Sequence, residues 1–199
     1  MKNLFLLICL VCSLPVWSLT YEVVYQKGKV EITRSGKPVS PPVLTGDRVV
    51  VHKGGILVLK APQEVLKLMG DTIIEPTQEK EETMITLVRG ALVSQVTNKA
   101  FKVKTRSTSF GVRGTQFFVS AQGGDDVWMC VKEGVVNAQN PKSSVDVPAG
   151  KGIFADAKEI TKPQPFAWTK GINWKMSDKE GDLDHKVKLN YDLLENFYD

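Results

Sequence analysis

Between Tyr21 and Ala155 the chain is a succession of short runs rich in valine, isoleucine, threonine and aromatic residues, each cut off by glycine, proline, asparagine or aspartate. Val30–Thr33 stops at Ser35-Gly36, Val43-Leu44 at Thr45-Gly46-Asp47, and Arg48–His52 at Lys53-Gly54-Gly55. Ile56–Lys60 is ended by Pro62, and Val65–Met69 faces Thr72–Ile74 across Gly70-Asp71, a strong hairpin signal. No run repeats apolar residues at three- and four-residue intervals, whereas short alternation fits half-buried strands. An all-β fold follows.

The later runs obey the same rule. Pro76 to Thr83 is polar and reads as an exposed loop. Met84–Val88, Ala91–Val96 and Ala100–Thr105 are separated by turns at Arg89-Gly90 and Asn98-Lys99. The last of them alternates strictly, with Phe101, Val103 and Thr105 opposite Lys102 and Lys104. Gln122–Asp125 is a hairpin turn by composition, and Glu133-Gly134 turns into Val135–Ala138. Gly28-x-Val30 followed by Gly46 is echoed by Gly134-x-Val136 followed by Gly150, with Gly90-Ala91-Leu92 as a weaker copy. The echo points to stacked strand-turn units, each burying one face on its neighbour.

Both ends differ in composition from this body. Lys2, the apolar run Leu4–Val11 and Pro15-Val16-Trp17-Ser18 form a secretory signal over residues 1–18, with cleavage expected after Ser18. The run is shorter than the ~20 residues a membrane span needs. Cys9 and Cys12 lack the small preceding residue of a lipoprotein signal, so lipidation is disfavoured. Cleavage leaves Cys130 as the single thiol, expected to be buried; without a disulfide, the core must hold the fold. The β domain is expected over residues 19–161. Residues 162–199 form an aromatic extension: Lys162-Pro163-Gln164-Pro165 is a linker, and Phe166, Trp168, Ile172 and Trp174 dock on the core or form a ligand platform. Val187, Tyr191, Leu194 and Tyr198 have the spacing of a short terminal helix.

Chemistry is sparse. His52 and His185 are the only imidazoles, neither stands beside a nucleophile, and no phosphate loop or zinc-protease motif occurs, so the chain reads as non-enzymatic and without a cofactor. The carboxylates of Asp178–Asp184 lack the order of a calcium loop and read as a solvated stretch, so no metal is expected. The charge of +4 comes from 26 basic and 22 acidic residues, well interspersed, which leaves no nucleic-acid footprint.

One stretch breaks the strand pattern from within. Thr105 to Val119 sets Gly111-Val112-Arg113-Gly114-Thr115 in a β-branched and aromatic run that continues to Phe117, and two glycines around a charge there call for a bulge or a close backbone approach. Together with Val131-Lys132-Glu133-Gly134-Val135-Val136, Pro148-Ala149-Gly150 and the upstream Leu44-Thr45-Gly46-Asp47-Arg48-Val49, this stretch resembles the FecR domain family. The similarity covers most of Gly28 to Ala155, with Ser107 standing where the family often has proline. The resemblance implies an extracytoplasmic all-β domain of irregular β-helix or β-roll character. It also implies a place in cell-surface signalling. The chain is expected to lack the anti-sigma and transmembrane segments of the best-known members, so sigma regulation is not carried over.

The resulting expectation is a periplasmic or secreted binding and signalling module of the bacterial envelope. Its partner would be a cell-envelope protein, reached through a strand edge and the Trp168/Trp174 segment. The alternative is glycan or peptidoglycan binding on Trp168, Trp174 and Tyr25. Arg113 is expected to be structural, paired with Glu133 or with turn carbonyls.

Overall fold

A computed structural model describes residues 19–79 and 82–176, apart from the side chains of Asn98 and Trp168. The expected signal, Asp178–Asp184 and the expected terminal helix lie outside the described residues.

Among the described residues, fourteen strands form one sheet. They are β1 (Thr20–Lys27), β2 (Val30–Arg34), β3 (Lys37–Pro38), β4 (Val43–Leu44), β5 (Arg48–Val51), β6 (Ile56–Ala61), β7 (Glu64–Met69), β8 (Thr72–Glu79), β9 (Glu82–Lys104), β10 (Ser109–Ala121), β11 (Val127–Glu133), β12 (Val135–Gln139), β13 (Ser144–Pro148) and β14 (Gly152–Ala155). The all-β expectation holds. The β-helix character does not emerge, because the strand pairings are antiparallel where stacked β-helix coils would pair in parallel. The stretch from Pro76 to Thr83, expected as a loop, is paired at its described residues, from Pro76 opposite Ile85 to Glu79 opposite Glu82.

The long strands β9 and β10 organise the rest. β8 pairs with the first part of β9, up to Arg89, and β7 with Leu92–Val96, so two short strands lie end to end along one long one. The Gly70-Asp71 turn joins them without making a hairpin, because β7 and β8 share β9 as partner and do not pair with each other. β10 repeats the device, with β12 along Ser109–Val112 and β11 along Gln116–Ala121. In both cases a glycine with positive φ sits in the long strand under the turn. Gly90 (φ +95°) lies under Asp71 and Thr72, and Gly114 (φ +73°) lies under Gly134. Of the glycine echo in the sequence, Gly90 and Gly134 fall at these two corners, whereas Gly28 packs against Gly55.

Each corner also switches which side chains face inward. Along β10, Phe110 and Val112 enter the core before Gly114, and Phe117, Val119 and Ala121 enter it afterwards. The register shift between Arg113 and Thr115 adds the odd residue that reverses the alternation. Along β9 the inward set changes from Ile85 and Leu87 to Leu92 and Val96, and again to Phe101 and Val103. Arg89-Gly90 and Asn98-Lys99, expected as turns, are irregular points within one continuous strand.

The sheet wraps around a single main core. One inward row runs Leu57, Leu68, Leu92, Val119, Met129 and Ile153, each opposite the next across neighbouring strands and each fully buried. At roughly 2 kcal/mol per buried aliphatic side chain, such rows supply the main favourable term of folding. The opposite face carries a second row: Val58, Lys67, Val93, Phe118, Cys130 and Gly152. This row is buried as well, because residues 172–176 lie over its centre. Two-sided burial explains why these strands read as nearly unbroken apolar runs.

Candidate functional site

The motif segments that are distant in sequence meet where β10 changes partner. Gly134 (φ +82°), in the turn from β11 to β12, lies so close to β10 that a Cβ there would sit 2.8 Å from the Gly114 carbonyl oxygen and 3.0 Å from Thr115 Oγ1. Only glycine combines that φ with that approach. Thr115 is buried and donates to the Val135 carbonyl at 3.3 Å. The Pro148-Ala149-Gly150 turn closes on the same junction: Ala149 N donates to Gly134 O at 3.0 Å and Gly150 N to Val131 O at 2.9 Å. Phe117 anchors it from below, edge-on to Phe101 with ring centroids 6.3 Å apart. Gly111 faces outward opposite Lys102 and Asn137, with open space where a Cβ would stand.

Arg113 is not part of this internal bonding. It is exposed, and among the described residues it makes no ion pair or hydrogen bond, so the expected pairing with Glu133 or turn carbonyls is absent. The register explains the difference. Val112 stands opposite Val136 and Gln116 opposite Glu133, so the bulge separates Arg113 from Glu133. Extending the Val112–Val136 register by one residue sets Arg113 beside Val135 on the outer face. Val135 is 51% exposed, the more exposed of the two large hydrophobic side chains that stand open to solvent among the described residues. Ala100 flanks Arg113 on the β9 side and Pro148 faces Val135 on β13; both are exposed. The junction therefore holds a free guanidinium and an apolar surface on a rigid base.

A second arrangement surrounds the C-terminal aromatics. Gln164 exchanges two backbone hydrogen bonds with Gly152, and a 3-10 turn, Ala167–Gly171, contains the backbone of Trp168. Ile172 is buried against Met69, Ala91, Val93, Phe118 and Cys130, with Trp174 and Met176 half-buried beside it. Lys67, fully buried in the outer row, donates its ammonium to the carbonyls of Asn173 and Lys175, the latter at 2.7 Å. Gln116 Nε2 donates to the Trp174 carbonyl at 2.7 Å. Burial brings the Lys67 pKa down from its ordinary 10.5 to about 8. The Cys130 thiol is buried, as expected, and its pKa is pushed up by loss of water. Tyr25 packs with Ile56 and Val58 in a cluster separate from that of Trp174, so the two do not form one sugar-binding platform. Lys67 and Gln116 were missed by the motif reading. The available signal was a lysine inside the apolar run Val65-Leu66-Lys67-Leu68-Met69.

Two further polar pairs stiffen the fold near its edges. Asp47, fully buried, accepts from Arg34 Nε at 2.7 Å, Arg34 Nη2 at 2.8 Å and Leu44 N at 2.8 Å, and these bonds hold its carboxyl below the usual range. Tyr21 donates to Glu64 at 2.6 Å, and burial raises the pKa of both groups.

Residues 47–137 match the FecR protein family. The FecR segment runs from the buried Asp47 through β5 to the middle of β12 and contains the whole Gly114–Gly134 junction. Two crystal structures of a candidate anti-sigma factor from Parabacteroides distasonis ATCC 8503 share the fold. Both are 23% identical to this chain, with TM-scores of 0.54 and 0.53. The matches cover 61% and 62% of this chain and 61% and 64% of theirs, so the chain spans less than two thirds of the solved chains it resembles. No curated protein gives a significant match. Among the described residues no helix is long and apolar enough to cross a membrane.

Proposed function

We propose that this chain is a non-enzymatic, exported FecR-type signalling module that acts in the cell envelope by binding another protein. Residues 1–18 serve as the export signal, 19–161 as the β domain and 162–199 as its aromatic extension. The observation that carries the reading is the display of Arg113. A motif that spends two positive-φ glycines and a buried threonine on one corner leaves its charged residue outside, unpaired, beside the exposed Val135. Arginine next to exposed apolar surface is the composition of a binding hot spot, and a rigid base limits the entropy lost on docking. The complementary partner surface carries a carboxylate next to an apolar contact. The regulatory character of the family and of the solved neighbour supports a signalling role.

The test is a photo-cross-linking amino acid placed at position 135 of the full-length protein in cells. A discrete adduct is expected at 135, lost in an Arg113→Glu background, and absent when the cross-linker replaces the exposed Lys158. Adducts that ignore Arg113→Glu, or no adduct with the protein folded and exported, would refute the proposal.

A further inference from the structure

The surface under Ile172–Met176 is built to hold extended polypeptide. Its floor is the outer row Val93, Phe118 and Cys130, and its walls are Lys67 on β7 and Gln116 on β10, one on each side of β9. In an extended chain, successive side chains point to opposite faces and successive carbonyls to opposite flanks. The contacts follow that pattern. Lys67 takes the carbonyls of Asn173 and Lys175, Gln116 takes that of Trp174 from the other flank, and Ile172, Trp174 and Met176 pack on the floor. Each of these hydrogen bonds reads backbone, so the trough selects for alternating apolar side chains rather than for one particular sequence.

The occupant is not woven into the sheet. The strap's bridges to β14, Ile160 to Ala155 and Gln164 to Gly152, lie upstream of the trough. Residues 172–176 can therefore leave without breaking a strand ladder. When they leave, the Lys67 ammonium regains the water that burial denies it, which offsets part of the cost of exposing the floor.

We infer that the trough between Lys67 and Gln116 is a docking site for an extended segment of another protein with apolar residues at every second position, and that Ile172–Met176 is its resident competitor. This site is separate from the Arg113 surface and draws on different observations.

The probe is a fluorescein-labelled peptide with the sequence Gly171–Ser177, titrated by anisotropy into the full-length protein and into an Ile172→Ser variant whose own strap is loosened. Saturable binding to Ile172→Ser is expected, about tenfold tighter than to wild type because the competitor is weakened. Adding Lys67→Met to that background removes the charged donor and weakens binding about tenfold or more. A peptide of the same composition with its three apolar residues made consecutive is expected not to compete. Should Ile172→Ser fail to melt cooperatively, Trp174→Ala, at a half-buried position, loosens the strap more gently. No saturable binding to a folded, strap-loosened variant, or equal binding of the rearranged peptide, overturns the inference. So does dimerisation of the loosened variant by sedimentation, which would assign the trough to exchange between copies. Arg113→Glu should leave peptide binding unchanged, so failure of either reading is seen apart from the other.

Discussion

Replacing Gly134 by alanine tests the junction directly, and Gly150 supplies the control. Both glycines have nearly the same φ, +82° and +79°, so an added methyl group meets a similar backbone penalty, about 1 kcal/mol. Their surroundings differ. At Gly150 nothing lies within 4 Å of the new Cβ, whereas at Gly134 the Gly114 carbonyl oxygen is at 2.8 Å and Thr115 Oγ1 at 3.0 Å. Neither neighbour yields cheaply, because one is backbone and the other is held by its bond to Val135. Forcing atoms into such a contact costs about 1 to 3 kcal/mol more. Gly150→Ala should therefore lose ~1 kcal/mol and Gly134→Ala ~2 to 4 kcal/mol. At about 2 to 4 °C per kcal/mol for a domain of this size, the melting temperature should fall by roughly 2 to 4 °C in the first and roughly 5 to 15 °C in the second. Thermal unfolding followed by far-ultraviolet circular dichroism, with urea titration as a check, measures both. Equal losses in the two variants would refute the claim that Gly134 is required by close approach.

Lys67 makes stability depend on pH in alkali. Its pKa is lowered to about 8 in the folded chain, while the unfolded chain holds the proton up to 10.5. Between those values the unfolded state binds more protons, so this group's contribution raises stability with pH, by at most about 3 kcal/mol. Urea midpoints of wild type minus those of Lys67→Met, taken from pH 7 to 10.5, should climb through that window; a flat difference would contradict the assignment. Arg34→Ala leaves the Asp47 carboxylate with the Leu44 N–H as its remaining partner among the described residues and should lower stability at neutral pH, by less than a fully buried pair would because Arg34 is 41% exposed. The Asp47 pKa is depressed when folded, so its contribution is present above the ordinary carboxylate range and lost as pH falls through the folded value. Acid unfolding of Arg34→Ala should accordingly show a smaller loss of stability between pH 5 and 3 than wild type, approximate bounds for an aspartate titration.

The class of the fold and the places where the chain changes direction were legible because they rest on local rules. Alternation placed Phe101, Val103 and Thr105 inside, opposite Lys102 and Lys104, and the glycines around Arg113 announced a bulge. Pairing partners were not legible. Gly70-Asp71 has the composition of a hairpin turn, yet β8 pairs onward with the near end of β9, and β7 aligns on the part of β9 that lies over twenty positions further along the sequence. The lack of a partner for Arg113 was not legible for a related reason. Proximity to Glu133 in the family motif says that two segments meet, while only the register says that Gly114 falls between the two side chains. Lys67 failed as a signal because a lysine in an apolar run usually marks the solvent face, and its cover comes from a segment more than one hundred residues later.

That cover bears on how the domain completes itself. The outer row from Lys67 to Cys130 belongs to strands made early and in the middle of synthesis, and Ile172–Met176 follows all of them. As the chain emerges in order, the strands can close around the inner core before those five residues arrive. For that interval Val93, Phe118 and Cys130 stand open to water as a patch of β-structured apolar surface, the kind that draws chaperones or sticks to itself. A chain stopped just before Ile172 would be folded on one face and adhesive on the other.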